Sequence, residues 1–155
     1  MAKRFDFVSA SDKPALLAIT TPEWLSTAES ALTEIGYKIQ KIGTHLEFAG
    51  RFSQVPYQVV IIEEQFAGTP LAENMTLDAI QNMPMKQRRH SVIILIGDSF
   101  ETLNTLQAFQ QSVHAVINYS EMALLGQLVQ KAVTDNDAFL NNFREIELRI
   151  AQAKE

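Results

Sequence analysis

Two carboxylates, Glu63 and Glu64, follow the most β-branched run in the chain, Val59-Val60-Ile61-Ile62, and a third, Asp98, follows a second such run, Val92-Ile93-Ile94-Leu95-Ile96. Acidic groups at the ends of buried strands suit two kinds of chemistry. They offer hard anionic oxygens to a divalent cation, and a nucleophilic oxygen to a transferring group. Carboxylates in such places also serve as helix caps, so both uses stay open. Other chemistry has less support. His45, His90 and His114 are scattered without the HExxH spacing of a zinc helix, and no GxGxxG or GxxxxGK[ST] loop occurs. No GxSxG elbow is present to expose a serine nucleophile. The chain has no cysteine, which excludes disulfides, thiolate zinc sites and cysteine nucleophiles. Lys86-Gln87-Arg88-Arg89-His90 is the one basic cluster. It could grip an anion, but such a run is more often a solvated connector entering a strand.

The elements that position these groups follow from apolar periodicity. Residues 1–14 form a polar arm, and Ala15-Leu16-Leu17-Ala18-Ile19-Thr20 is a short strand buried on both faces. Thr21-Pro22-Glu23 starts a helix with a hydroxyl at the N-cap, proline at the first helical position and an acid at the positive end of the dipole. Trp24, Leu25, Ala28, Leu32 and Ile35 line that helix, and Gly36 ends it. Strands over 37–42, 57–62, 91–96 and 113–118 alternate with helices over 45–54 and 71–82, one opened by an Asp98/Glu101 capping box, and one capped by Ser120. Leu103, Leu106 and Phe109 or Gln110 line the helix after Asp98. Five βα units in series give a parallel sheet with helices on both faces. The turn between the first strand and helix, Thr20-Thr21-Pro22, has no glycine to admit a pyrophosphate.

A charged tail over 135–155 carries Phe139, Phe143, Ile146 and Ile150 at spacings of four, three and four. This is a stripe of coiled-coil type. It is expected either to fold back on its own domain or to pair with another chain, and the sequence leaves both open.

Five βα units around Pro56-Tyr57-Gln58-Val59-Val60-Ile61-Ile62-Glu63 resemble the receiver domains of two-component response regulators. The resemblance covers residues 15–134. It implies a flavodoxin-like α/β fold, (βα)5 with strand order 2-1-3-4-5, and the tail becomes an extra C-terminal helix. It also implies which positions would do phosphoryl chemistry, and each has changed. The acidic pair that binds Mg²⁺ corresponds to Thr20 and Thr21, the acceptor aspartate to Glu63, the hydroxyl residue to Ile96 and the lysine to Tyr119 or Asn118. Val116 replaces the aromatic switch residue. Two hydroxyls are poor ligands for Mg²⁺, and phosphoryl transfer depends on positioned charge. The expectation is therefore a degenerate receiver: not an enzyme, with no metal or cofactor, acting by protein–protein interaction. Glu63 could mimic a phosphorylated acceptor, though a carboxylate carries less charge. The vacated crevice could instead hold a small ligand. By the same resemblance the surface over about 99–133 is a docking face, with homodimerisation among its uses.

With 155 residues the chain is one domain, large enough to bury roughly 70% of its unfolded surface. A net charge of −5 argues against nucleic acid and anionic membrane as partners. The N-terminal stretch lacks the apolar core of a secretory signal, so a cytoplasmic setting is expected. The polar ends at 1–14 and 151–155 would permit fusion to neighbouring domains.

Overall fold

The computed structural model describes residues 13–84, 88 and 90–153. Each β-branched run becomes a strand, because branched side chains pack well on a pleated surface. The elements are β1 (Pro14–Ala18), α1 (Pro22–Glu34), β2 (Lys38–Ile42), α2 (His45–Gln54), β3 (Val59–Glu63), α3 (Met75–Gln81), β4 (Val92–Ile96), α4 (Thr105–Gln111), β5 (Ala115–Ile117) and α5 (Leu125–Ala153). All strand pairs are parallel, in the order β2-β1-β3-β4-β5. This is the flavodoxin-like receiver fold with a long additional C-terminal helix.

Side chains alternate across the sheet, so β1, β3, β4 and β5 feed two cores. Leu17, Ile61, Ile94 and Ile117 face α1 and α5, where they meet Leu32, Leu125 and Val129. Leu16, Val60, Ile62 and Leu95 face α2, α3 and α4, where Phe48, Phe66, Ile80 and Ala108 complete the layer. Full burial of one such aliphatic side chain contributes about 1.5–3 kcal/mol. Edge strand β2 has one buried residue, Ile42, which accounts for its polar alternation.

Three expected helix starts lie elsewhere, each for a local reason. The helix expected over 71–82 begins at Met75, after a single 3₁₀ turn at Leu71–Glu73, because the Asn74 side chain accepts from the Leu77 N–H. Asp98 does not cap a helix. The Leu103 N–H is held by the Val116 carbonyl at 2.9 Å, so the chain first crosses the strand ends, and Asn104 caps α4 through the Gln107 N–H. Ser120 is likewise not the cap: Asn118 accepts from the Ser120 N–H and opens a 3₁₀ stretch, Tyr119–Leu124, ahead of α5. The apolar residues expected to line α4 differ too. Leu106 and Phe109 point outward, 62% and 80% exposed, because Ala108 fills the sheet side of this two-turn helix.

Helix α5 runs unbroken through the predicted boundary at 134. Asn136 and Leu140, beyond that point, are still buried. Among the described residues no helix is long and apolar enough to cross a membrane.

Candidate functional site at the carboxyl ends of the strands

Glu63 ends β3 on the same face as Ile61, so its side chain is directed toward the start of α1 and the segment after β5. It is 2% exposed. One oxygen, Oε1, accepts the Thr20 N–H at 2.8 Å, the Thr21 N–H at 3.1 Å and the Thr20 hydroxyl at 3.3 Å. The other, Oε2, accepts the Tyr119 hydroxyl at 2.8 Å and a short hydrogen bond from the Thr21 hydroxyl. The two backbone donors belong to the start of α1, where the helix dipole favours negative charge. Thr21 occupies the N-cap position but makes no side-chain cap bond. Its hydroxyl goes to Glu63 instead.

Burial by itself would raise the Glu63 pKa. Hydrogen bonds from the Thr21 and Tyr119 side chains and from the Thr20 and Thr21 backbone outweigh it, and the carboxyl sits below its ordinary value. Tyr119 moves the other way: burial first, then its bond to Glu63 and the nearby charges of Glu63, Glu64 and Asp98, push the phenol well above its usual value. Its ring stacks on Trp24, with centroids 4.8 Å apart and planes 10° from parallel.

The arrangement inverts the charge pattern that the receiver resemblance implies. Thr20, Thr21 and Tyr119, which the resemblance sets at the positions of the acidic pair and the lysine, are neutral donors, and the Glu63 carboxylate lies between them. The Glu63 carboxylate lies in the crevice that the sequence reading leaves vacant.

Glu64 turns away. It accepts the Ser99 N–H at 3.2 Å and a short bond from the Ser99 hydroxyl. Gly97 is required beneath it, since a Cβ there would stand 2.1 Å from Glu64 Oε1. Ile96 is fully buried in the α1/α5 core and offers the site only its carbonyl, which accepts the Glu64 N–H at 2.8 Å. Glu63 and Glu64 therefore diverge, and do not gather with Asp98 as a cation site would need. Among the described residues no group of three or more His, Asp or Glu is arranged to hold a metal.

Of the remaining candidates, Arg88, His114 and His45 make hydrogen bonds within the fold. Arg88 donates to the Ile80 and Gln81 carbonyls near the end of α3 at 3.3 and 3.4 Å. Lys86, Gln87 and Arg89 lie outside the described residues. His114 Nδ1 accepts the Ile93 N–H at 3.0 Å, and burial lowers its pKa, with Arg88 adding to the shift and Asn136 opposing it. His45 Nδ1 accepts the Thr76 N–H at 3.2 Å, and its other nitrogen lies 3.2 Å from the Thr69 hydroxyl. Burial lowers its pKa also.

On the docking face implied for 99–133, a groove of about 800 Å³ opens between α4, β5 and α5. Leu103, Phe109, Val113, His114, Asn136 and Phe139 line it. Phe139 leads into the tail stripe: it is 57% exposed, its ring lies 6.3 Å from that of half-buried Phe143, and Ile146 and Ile150 are 55% and 52% exposed.

Trp24, Ser99 and Gly97 were not recognised as site residues from sequence. Trp24 appeared only as one of the apolar residues of α1. A glycine directly after a buried strand was the available sign that a side chain crosses there.

No family model and no curated protein matches this chain. Among solved structures it is similar to a candidate response regulator from Chloroflexus aurantiacus, with a TM-score of 0.65, 11% identity and coverage of 80% of this chain and 99% of that one. A fusion carrying the trimeric coiled coil of yeast Spc42 gives 0.63 and 14%, covering 95% and 94%. A response regulator from Hahella chejuensis gives 0.55 and 14%, covering 83% and 96%. At these identities the likeness is one of fold: the chain has the architecture of response-regulator receiver domains.

Proposed function

We propose that this chain is a non-catalytic signalling or regulatory module, a degenerate receiver that acts by protein–protein contact independently of phosphorylation. The observation that carries this reading is the Glu63 carboxylate held by Thr20, Thr21 and Tyr119. A carboxylate satisfied by five donors is a weak nucleophile, and among the described residues no group of three or more His, Asp or Glu is arranged to bring Mg²⁺. The same donors keep the site in one arrangement without a phosphoryl group. The similarity to two proteins described as response regulators supports a signalling role. Net charge supports a protein partner over nucleic acid or membrane, and a cytoplasmic setting goes with it.

The test is incubation with acetyl phosphate and Mg²⁺ followed by intact-mass measurement. The unmodified mass is expected. A phosphoryl adduct mapped to Glu63 or Glu64 overturns the reading.

A further inference from the structure

Helix α4, strand β5 and helix α5 each supply an alanine to the groove between them: Ala108, Ala115 and Ala132, all buried. Methyl groups leave volume that larger side chains would fill, and the groove of about 800 Å³ is the result. Three of its polar residues form one group. His114 Nδ1 accepts the Ile93 N–H at 3.0 Å, so the neutral ring carries its proton on Nε2. The His114 side chain is hydrogen-bonded to Asn136, and Arg88 stands close enough for its charge to act on the ring. Asn136 is buried and Arg88 half-buried, while His114 stays accessible to solvent. Lys131 and Asp135, also in the lining, pair with each other at 2.8 Å. With His114 neutral, the lining thus carries one net positive charge in a chain of net charge −5. Leu103 joins the lining from the left-handed region, with φ of 62°, held there by its N–H on the Val116 carbonyl. A residue with a Cβ is strained in that region, and such strain gathers at ligand clamps.

We propose that this groove binds a small amphipathic carboxylate, its apolar body lying along Phe109 and Phe139 and its carboxylate directed to Arg88 and His114. The proposal goes beyond the protein-contact reading and does not depend on it, since none of Thr20, Thr21, Glu63 and Tyr119 lines the groove. Size favours a small molecule, because such sites span about 300–1,000 Å³. Depth does so too. A ligand that enters the groove reaches Asn136 and Arg88, which a flat protein face would pass over. Hydrogen bonding and charge select the head group. Arg88 has donors only, and the Nδ1 lone pair of His114 is taken by the Ile93 N–H, so the group received here must accept. A carboxylate only accepts, and its planar pair of oxygens matches the guanidinium fork. An ammonium would be repelled by Arg88. One net positive charge also suits a monoanion better than a phosphate monoester, which carries nearly two charges.

Isothermal titration calorimetry of the full chain with octanoate, octanol and octyltrimethylammonium, each below micelle formation, tests the site. Octanoate is expected to bind once per chain and about tenfold more tightly than octanol, and the cation to give no saturable heat. Phe139→Ser should weaken octanoate binding about tenfold. Leu46→Ser is the control for unspecific apolar binding: Leu46 is 84% exposed on α2, outside the groove, and its loss should change nothing. Arg88→Gln should bring octanoate down to the affinity of octanol. Arg88 also donates to the Ile80 and Gln81 carbonyls, so circular dichroism accompanies that variant. Should it not fold, the ratio of octanoate to octanol affinity in the unaltered chain decides the charge requirement. Equal affinity for octanoate and octanol, unchanged octanoate binding in Phe139→Ser, or an equal loss in Leu46→Ser overturns the proposal. So does the absence of saturable octanoate binding, which would assign the groove to a macromolecular partner. Phosphoryl labelling of Glu63 or Glu64 would leave this site standing.

Discussion

The Tyr119 hydroxyl donates to Glu63 Oε2 at 2.8 Å while its ring stacks 4.8 Å from Trp24. One side chain thus ties the end of β3, the start of α1 and the segment after β5. A hydrogen bond to a charged acceptor contributes about 1.5–3 kcal/mol, and an aromatic pair about 0.5–1.5 kcal/mol beyond its buried area. Tyr119→Phe should therefore lower unfolding stability by about 2 kcal/mol in urea titrations while leaving native Trp24 emission unchanged. Tyr119→Leu removes both contacts and should cost more and shift that emission. Equal losses for the two variants would show that the stack contributes nothing.

Stability should fall with acid in two stages. His45 and His114 have lowered pKa values, so the folded state binds fewer protons than the unfolded chain, and stability declines as pH drops below about 6.5. The Glu63 pKa is also lowered, so its contribution is complete above the unfolded value of about 4.3 and is lost as pH falls through the folded value. Urea midpoints measured from neutral to acidic pH should show both limbs. In Glu63→Gln the lower limb should flatten while the one beginning near neutrality persists.

Gly97→Ala should destabilise the protein by about 1–3 kcal/mol, since the new methyl group meets the Glu64 side chain. In a Glu64→Gly background, which removes both the carboxylate and the Glu64 Cβ that the new methyl group would meet, the same change should cost little. A double-mutant cycle by thermal or urea unfolding reads the coupling directly, and additive losses would place the strain elsewhere.

Ser112 ends α4 in the left-handed region, with φ of 58°, and is exposed. Glycine adopts that conformation without the Cβ penalty. Ser112→Gly should raise Tm by about 1–3 °C in calorimetry. A lower Tm would mean that the loss of unfolded-state restriction outweighs the relief.

The five strands and most of the helices between them were legible in the residues, because buried β-branched runs and helical apolar spacing are local signals, whereas the strand order came with the receiver resemblance and the final helix, divided at 134 in the sequence reading, runs unbroken from Leu125 to Ala153. The run Val59–Ile62 could hardly be anything but a central strand. The helix starts at 74, 104 and 118 were less legible. At each, an asparagine carbonyl oxygen takes a backbone N–H, and at 104 a pairing with Val116 decides where the turn ends.

The site divides in the same way. The identities of Thr20, Thr21, Glu63, Ile96 and Tyr119, and their contrast with the set that the receiver resemblance implies, are visible without coordinates. What they do together depends on residues 43 and 56 positions apart meeting over one carboxylate. Such a meeting is produced by strand order and helix placement, and no local pattern records it. The tail behaves likewise. Its heptad spacing is in the sequence, but the point at which the seam leaves the body, Phe139, is set by how far the sheet and α4 extend beside α5.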